Sequence, residues 1–148
     1  MNGAKTFEKS QLGTESIMET TSKPAISKGA FWGGWVMSAI PAAMLLMSAV
    51  MKLTKNPQAV EGFAKMGYPS HANMSLGVVE LLCTVIYLIP QTSVLGAILL
   101  TGYLGGAIDV HVRTSQPIYM PLAFGILVWG GLFLRDPRIR ALIPFKTK

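Results

Sequence analysis

No Asp, Glu, Lys or Arg occurs in three long stretches of this chain, 29–51, 81–108 and 114–134. Crossing the hydrocarbon core of a bilayer as a helix takes about 20 mostly apolar residues, with a range of roughly 17 to 25. The first and third stretches each suit one crossing. The middle one is interrupted by Pro90, Gln91, Thr92 and Ser93, so it divides into the end of one helix and the start of another. Four helices are predicted, at about 31–53, 72–89, 94–112 and 118–134. The expected fold class is all-α: a four-transmembrane-helix bundle with a disordered N-terminal tail and a short interfacial helix in the first external loop.

Composition supports this reading. Charged residues make up 14% of the 148 positions and hydrophobic ones 51%, whereas a soluble domain carries about 25% charged residues. A soluble fold this small has much exterior for its volume and needs those charges to cover it. A bilayer removes the need, and lipid becomes the first expected partner.

The rest of the chain is short. Residues 1–30, rich in Ser, Thr, Lys and Glu, are expected to form a disordered cytoplasmic tail. Residues 31–138 form the membrane domain, and 139–148 a basic cytoplasmic tail. Met18 stands beside Met1 as a candidate start, and the first apolar segment is too long and too far along the chain for a cleaved signal peptide. Orientation follows from the basic residues beside the spans. Lys5, Lys9, Lys23, Lys28, Arg135, Arg138, Arg140, Lys146 and Lys148 lie on one side, against Lys52, Lys55, Lys65 and Arg113 on the other. Both termini are therefore expected in the cytoplasm, with the chain a multi-pass protein of the cell (inner) membrane. The net charge of +6 is no sign of nucleic acid, because the basic residues flank apolar spans and no soluble domain presents them.

In the first loop, Asn56 suits a helix cap, Pro57 the first helical position, and Gly67 a stop before Pro69. Val60, Phe63 and Ala64 would then share one face of a short amphipathic helix on the outer leaflet. Between spans, small residues are expected to form the contact ridges, since lipid is as apolar as Leu and does not drive helices together. Gly34, Ser38 and Ala42 offer one such ridge, and Gly102, Gly105 and Gly106 another.

The polar residues inside the spans carry the functional reading. Glu80 lies about 12 Å into the second segment. An acidic residue at mid-membrane costs about 2.5 to 3.5 kcal/mol on insertion scales, so it should face other helices and find a partner. Asp109 and Arg113 are four apart and can pair on the face that also holds Gly102, Gly105 and Gly106, and that pair is expected to point inward. Lys52 ends the first span at the same external level. Lys52, Glu80, Asp109, His111 and Arg113 all fall in the outer half of the bundle, and Tyr103 is deep enough that its hydroxyl needs a partner there. One polar cluster opening outward is the expectation, weighed against snorkelling for Lys52, an ordinary flanking charge for Arg113 and a local hydrogen bond for His111.

Other chemistries lack support. Cys83 is the single cysteine, so no intramolecular disulfide or CxxC pair exists. His71 and His111 alone are weak evidence, and haem is disfavoured. No metal is expected, because zinc wants three or four ligands. Trp32, Trp35 and Tyr119 sit near span ends and read as interfacial anchors. No catalytic residue is assigned, for want of a nucleophile and base arrangement.

Lys52 and Leu53 end the first span, and Gly67, Tyr68 and Pro69 precede the second. LGVVELL runs from Leu76 to Leu82, Ile89 and Pro90 break the chain, and GYLGGAIDVHVR runs from Gly102 to Arg113. In this order and spacing the sequence resembles the DoxX-like family of small four-helix membrane proteins, over roughly 31–138. The resemblance implies emphasis on Lys52, Glu80 and His111, with Asp109 less typical. It also implies a kinship with membrane subunits of quinone-linked oxidoreductases. The leading expectation is an accessory or quinone-associated subunit with an outward-facing polar pocket and no independent enzyme activity. Its partner would be a redox protein or a second copy of the chain. The alternatives are a small-molecule or proton transporter using Glu80, and a non-catalytic membrane scaffold.

Overall fold

The computed structural model describes residues 27–69 and 71–142. Residues 1–26 of the expected disordered tail, the question of Met18 and the last six residues of the basic tail lie outside them, while 28–30, expected in that tail, belong to the first helix. Among the described residues the chain forms six α-helices: α1 Lys28–Leu53, α2 Pro57–Lys65, α3 Ala72–Leu88, α4 Ser93–Arg113, α5 Tyr119–Arg135 and α6 Pro137–Leu142. The long ones differ from the charge-based segments most at the start of α1, residue 28 against 31. α1 and α4 are long and apolar enough to cross a membrane. α3 and α5 are apolar but have 17 residues each, about 25 Å at the helical rise.

Local signals set the ends. Ser27 accepts a hydrogen bond from the Ala30 amide at 3.3 Å and starts α1. Asn56 accepts from the Gln58 amide at 3.0 Å, with Pro57 in the first turn of α2. Gly67, at φ 79°, then takes a backbone conformation that a side chain would resist. Between α3 and α4, Thr92 Oγ1 donates to the Ile86 carbonyl at 2.8 Å and Ser93 Oγ to the Pro90 carbonyl at 3.1 Å. Asp136 accepts from the Arg138 amide at 2.9 Å and opens α6.

The four long helices run alternately up and down in a ring, α1–α3–α4–α5, and α1 packs most extensively on α5 and on α3. Helices opposite each other in the ring make no close backbone approach among the described residues. One end of the ring carries α2, and the other carries the start of α1 and α6. The exterior is apolar all round, with Val36, Ile40, Met47, Leu82, Ile98 and Ile126 exposed, while Ser38, Asn73, Glu80 and Thr84 are buried. This is the reverse of a soluble domain, and lipid tails are the solvent that accepts it.

Close approach uses glycine at two places. A Cβ on Gly34 would stand 2.8 Å from the Arg135 amide nitrogen and the Gly131 carbonyl, so α1 and α5 touch through their backbones. A Cβ on Gly96 would overlap the Tyr87 backbone, so α3 and α4 do the same. The ridge of Gly34, Ser38 and Ala42 is buried as expected. The second expected ridge is not a contact within the bundle. A Cβ on Gly102, Gly105 or Gly106 would meet nothing within 4 Å. α4 packs instead through Ser93, Gly96, Ala97, Leu100 and Leu104, which turns the glycine face outward.

Candidate functional site

Near the α2 end, the last turn of α1 lies against the start of α3. Gly77 makes this fit possible, because a Cβ there would stand 2.9 Å from Lys52 Cβ. The Lys52 side chain therefore runs into the ring instead of out of it. Its Nζ donates to Glu80 Oε2 at 2.7 Å, to Ser48 Oγ at 2.9 Å and to Tyr103 Oη at 2.9 Å. An ammonium has three N–H groups, and all three are used. Ser48 passes a further hydrogen bond to Glu80 Oε2 at 3.3 Å. Glu80 is 1% exposed, and Nζ also lies 5.6 Å from the Tyr103 ring centroid and 5.7 Å from that of Phe63 on α2.

The arrangement joins helices whose backbones make no close approach among the described residues. Tyr103 on α4 is opposite α1 in the ring, and Lys52 reaches it across the interior. Burying two charges is expensive, and their attraction compensates only when the geometry is good and the remaining hydrogen-bonding capacity is filled. Lys52 and Glu80 meet that condition on the Lys52 side in full. Lys52 and Ser48 also border a pocket of about 320 Å³ whose other walls include Met47 and Met51 of α1 and Phe63 and Met66 of α2. Ala59, Gly62 and Phe63 of α2 line it together with Met66 just after the helix, while Val60 and Ala64 are exposed.

Of the six residues singled out from the sequence, the structure brings together Lys52, Glu80 and Tyr103 and leaves the other three apart. Asp109 and Arg113 do pair, at 3.9 Å, but their side chains are 67% and 66% exposed. Asp109 shares its face with Gly102, Gly105 and Gly106 as expected, and that whole face points away from the bundle, so the inward pair is corrected. His111 keeps to its own helix, with Nδ1 2.7 Å from the Ala107 carbonyl. The physical reason is angular. At 100° per residue, Tyr103 and Asp109 lie about 120° apart around α4, and only one of them can face the interior.

A second polar cluster, at the end where α1 begins, was not anticipated. Tyr87 Oη is 2.8 Å from Ser38 Oγ and 2.9 Å from the Val128 carbonyl. The carbonyl can only accept, so the phenol donates to it and Ser38 donates to the phenol. Arg135, a flanking cytoplasmic charge by sequence, is 8% exposed. Its guanidinium lies 4.6 Å from the Trp35 ring and 4.9 Å from the Tyr87 ring, and Nη2 donates to the Tyr87 carbonyl at 3.1 Å. Trp35 is thus a partner of Arg135 as well as a residue near a span end. The sequence carries no signal for this: Gly131 and Val128 share a face of α5 with Arg135, but that face turns inward only when the helices pack.

Among the described residues, no group of three or more His, Cys, Asp or Glu side chains is placed to hold a metal ion. What the α2 end offers instead is a compensated cation beside an apolar pocket, suited to holding an oxygen acceptor. Comparison with known proteins bears on the identity of the chain. No curated protein and no solved structure matches it. The sequence model of one family matches residues 36–131, more than half of the chain and a span that includes Lys52, Glu80 and Tyr103. On that match the chain belongs to the DoxX-like family, and it is a small membrane protein.

Proposed function

We propose that the chain crosses the cell (inner) membrane four times, with both termini in the cytoplasm and the α2 end outward. It serves there as an accessory, quinone-associated subunit whose largely apolar pocket beside Lys52, near the outer end, binds a small molecule, while a redox partner carries out the chemistry. The apolar exterior of all four long helices and the nine basic residues at the terminal side against four at the other support the topology.

One observation carries the function. The Lys52 ammonium is held by three hydrogen bonds, and Lys52 borders a pocket with thioether and aromatic walls. A neutral carbonyl reaching Lys52 would exchange for Ser48 or Tyr103 on Nζ while Glu80 keeps the charge compensated, so binding needs no bare ion in the membrane. The described residues offer no activated nucleophile in the site, which is why the chemistry is assigned to a partner.

Gentle extraction, followed by native mass spectrometry and an absorption spectrum taken before and after reduction, tests this reading. A copurifying quinone or redox protein is the expected result. A bare chain with neither would overturn it and leave a scaffold. Transport is the second reading, favoured by the run of Glu80, Thr84 and Tyr87 down the buried face of α3. The run is not a continuous chain of side-chain bonds, since Thr84 Oγ1 donates to the Glu80 backbone carbonyl at 2.7 Å. Leu45 and Leu100 are buried in the core there. Glu80→Gln protein in proteoliposomes would lose pH-dependent transport under the second reading and show none to lose under the first.

A further inference from the structure

The mouth of the pocket beside Lys52 indicates how its occupant arrives. Met44 and Met47 line that pocket, and they are 40% and 63% exposed. They precede Leu53 by nine and six residues, which at the helical rise sets them about 13 and 9 Å below the end of α1. The mouth therefore opens on the apolar flank of the bundle, in the band that also exposes Ile40 and Val50. Toward the α2 end of the ring Asn73 and Val110 are buried, and Lys52 Cβ and Leu53 close the α1–α3 seam against Gly77.

α2 forms the other wall and is loosely attached. None of its residues is buried, and left-handed backbone flanks it on both sides, at Lys55 with φ 51° and Gly67 with φ 79°. Its Phe63 ring lies over the Lys52 ammonium. Thioethers are flexible and polarizable, so walls of Met44, Met47, Met51 and Met66 adapt to bodies of differing shape. The polar groups on the lining are Ser48 and Lys52 from α1 and Gln58 from α2.

We propose that this pocket is a lateral, lipid-facing entrance to the Lys52 site. Its occupant is a membrane-dissolved amphiphile, with a hydrogen-bond-accepting oxygen on an apolar body. The oxygen settles against Lys52 and Ser48, the body lies along Met44, Met47 and Phe63, and α2 shifts to admit it. This rests on the reading of Lys52 as the binding group and adds the route and the chemical class of the ligand.

Photolabelling of the full-length protein in nanodiscs tests the proposal. One probe is decylubiquinone with a diazirine on its tail, and a second is a fatty acid with the same tail and the same diazirine. Labelled peptides are expected from 44–51 and 59–66, with labelling suppressed by unlabelled decylubiquinone or fatty acid. Labelling by the first probe alone would identify a ring carbonyl as the head recognised, and by the second alone a carboxylate. Met47→Trp adds bulk at an exposed position, and it should cut labelling by about tenfold or more without moving the thermal unfolding midpoint. The double variant Lys52→Met/Glu80→Met, which leaves no charge stranded, should cut it similarly.

If the double variant loses labelling and Met47→Trp keeps it, the lateral entrance is wrong and Lys52 stands as the binding group. If both variants label like the natural protein, the Lys52 reading falls too. Labelling elsewhere, or by neither probe, also overturns the proposal.

Discussion

The two ends of the ring bury cations in opposite ways. At the α2 end, Lys52 has an acid partner at 2.7 Å, every N–H engaged, and a pocket alongside. At the other end Arg135 has no carboxylate within ion-pair distance among the described residues; two aromatic faces and a backbone carbonyl hold it. There the helices meet backbone to backbone through Gly34 and Gly131. The difference separates roles. One end is compensated and leaves space for a ligand, while the other is closed and fixes the ring.

The largest effect should come from breaking the compensated pair on one side only. Lys52→Met strands the Glu80 carboxylate in the interior, and a loss of about 3 to 5 kcal/mol is expected in chemical unfolding from mixed micelles. Adding Glu80→Met should recover most of that loss. A double variant no more stable than Lys52→Met would show that the pair is not the reason.

Glycine separates the closed end from the open face of α4. Gly96→Ala forces α3 and α4 apart against the Tyr87 backbone and should cost about 1 to 3 kcal/mol or more, read as a lower thermal midpoint. Gly102→Ala meets open space and should instead stabilise by about 0.5 to 1 kcal/mol, because alanine suits a helix better. Equal effects at the two positions would contradict the packing described.

Arg135→Met is the direct counterpart of Lys52→Met, and it should cost only about 1 kcal/mol because no opposite charge is left behind. A cost near that of Lys52→Met would mean that Arg135 is compensated after all. The smallest effect belongs to the exposed pair. Asp109→Asn should change stability by less than about 0.5 kcal/mol in the same assay. A larger loss would require that the glycine face of α4 be covered.

Much of this was legible in advance, and particular residues show where legibility stopped. Asn56, Pro57, Gly67 and Pro90 bound their helices through short-range geometry, which a sequence displays directly, whereas the cap at Ser27 starts α1 three residues before the apolar stretch suggests. Glu80 was recognisable because an acid within a span must be partnered, and Lys52 because it ends its span at the same external level. Arg135 was not, since a basic residue at a span end has a routine role as a flanking charge, and only the close approach of Gly34 and Gly131 draws it inside.

The linear pattern by itself determined where the apolar helices lie, which residues share a face of each, and that an acid within a span, Glu80, needed a partner. It did so because hydropathy and helical periodicity are local. Only the packed bundle decided which face of α4 turns inward, selecting Tyr103 over Asp109 and Arg113. In a water-soluble helix, contrast between a wet and a dry side would have revealed that choice. Here lipid and interior are both apolar, so nothing along the chain distinguishes them until neighbouring helices fill one side.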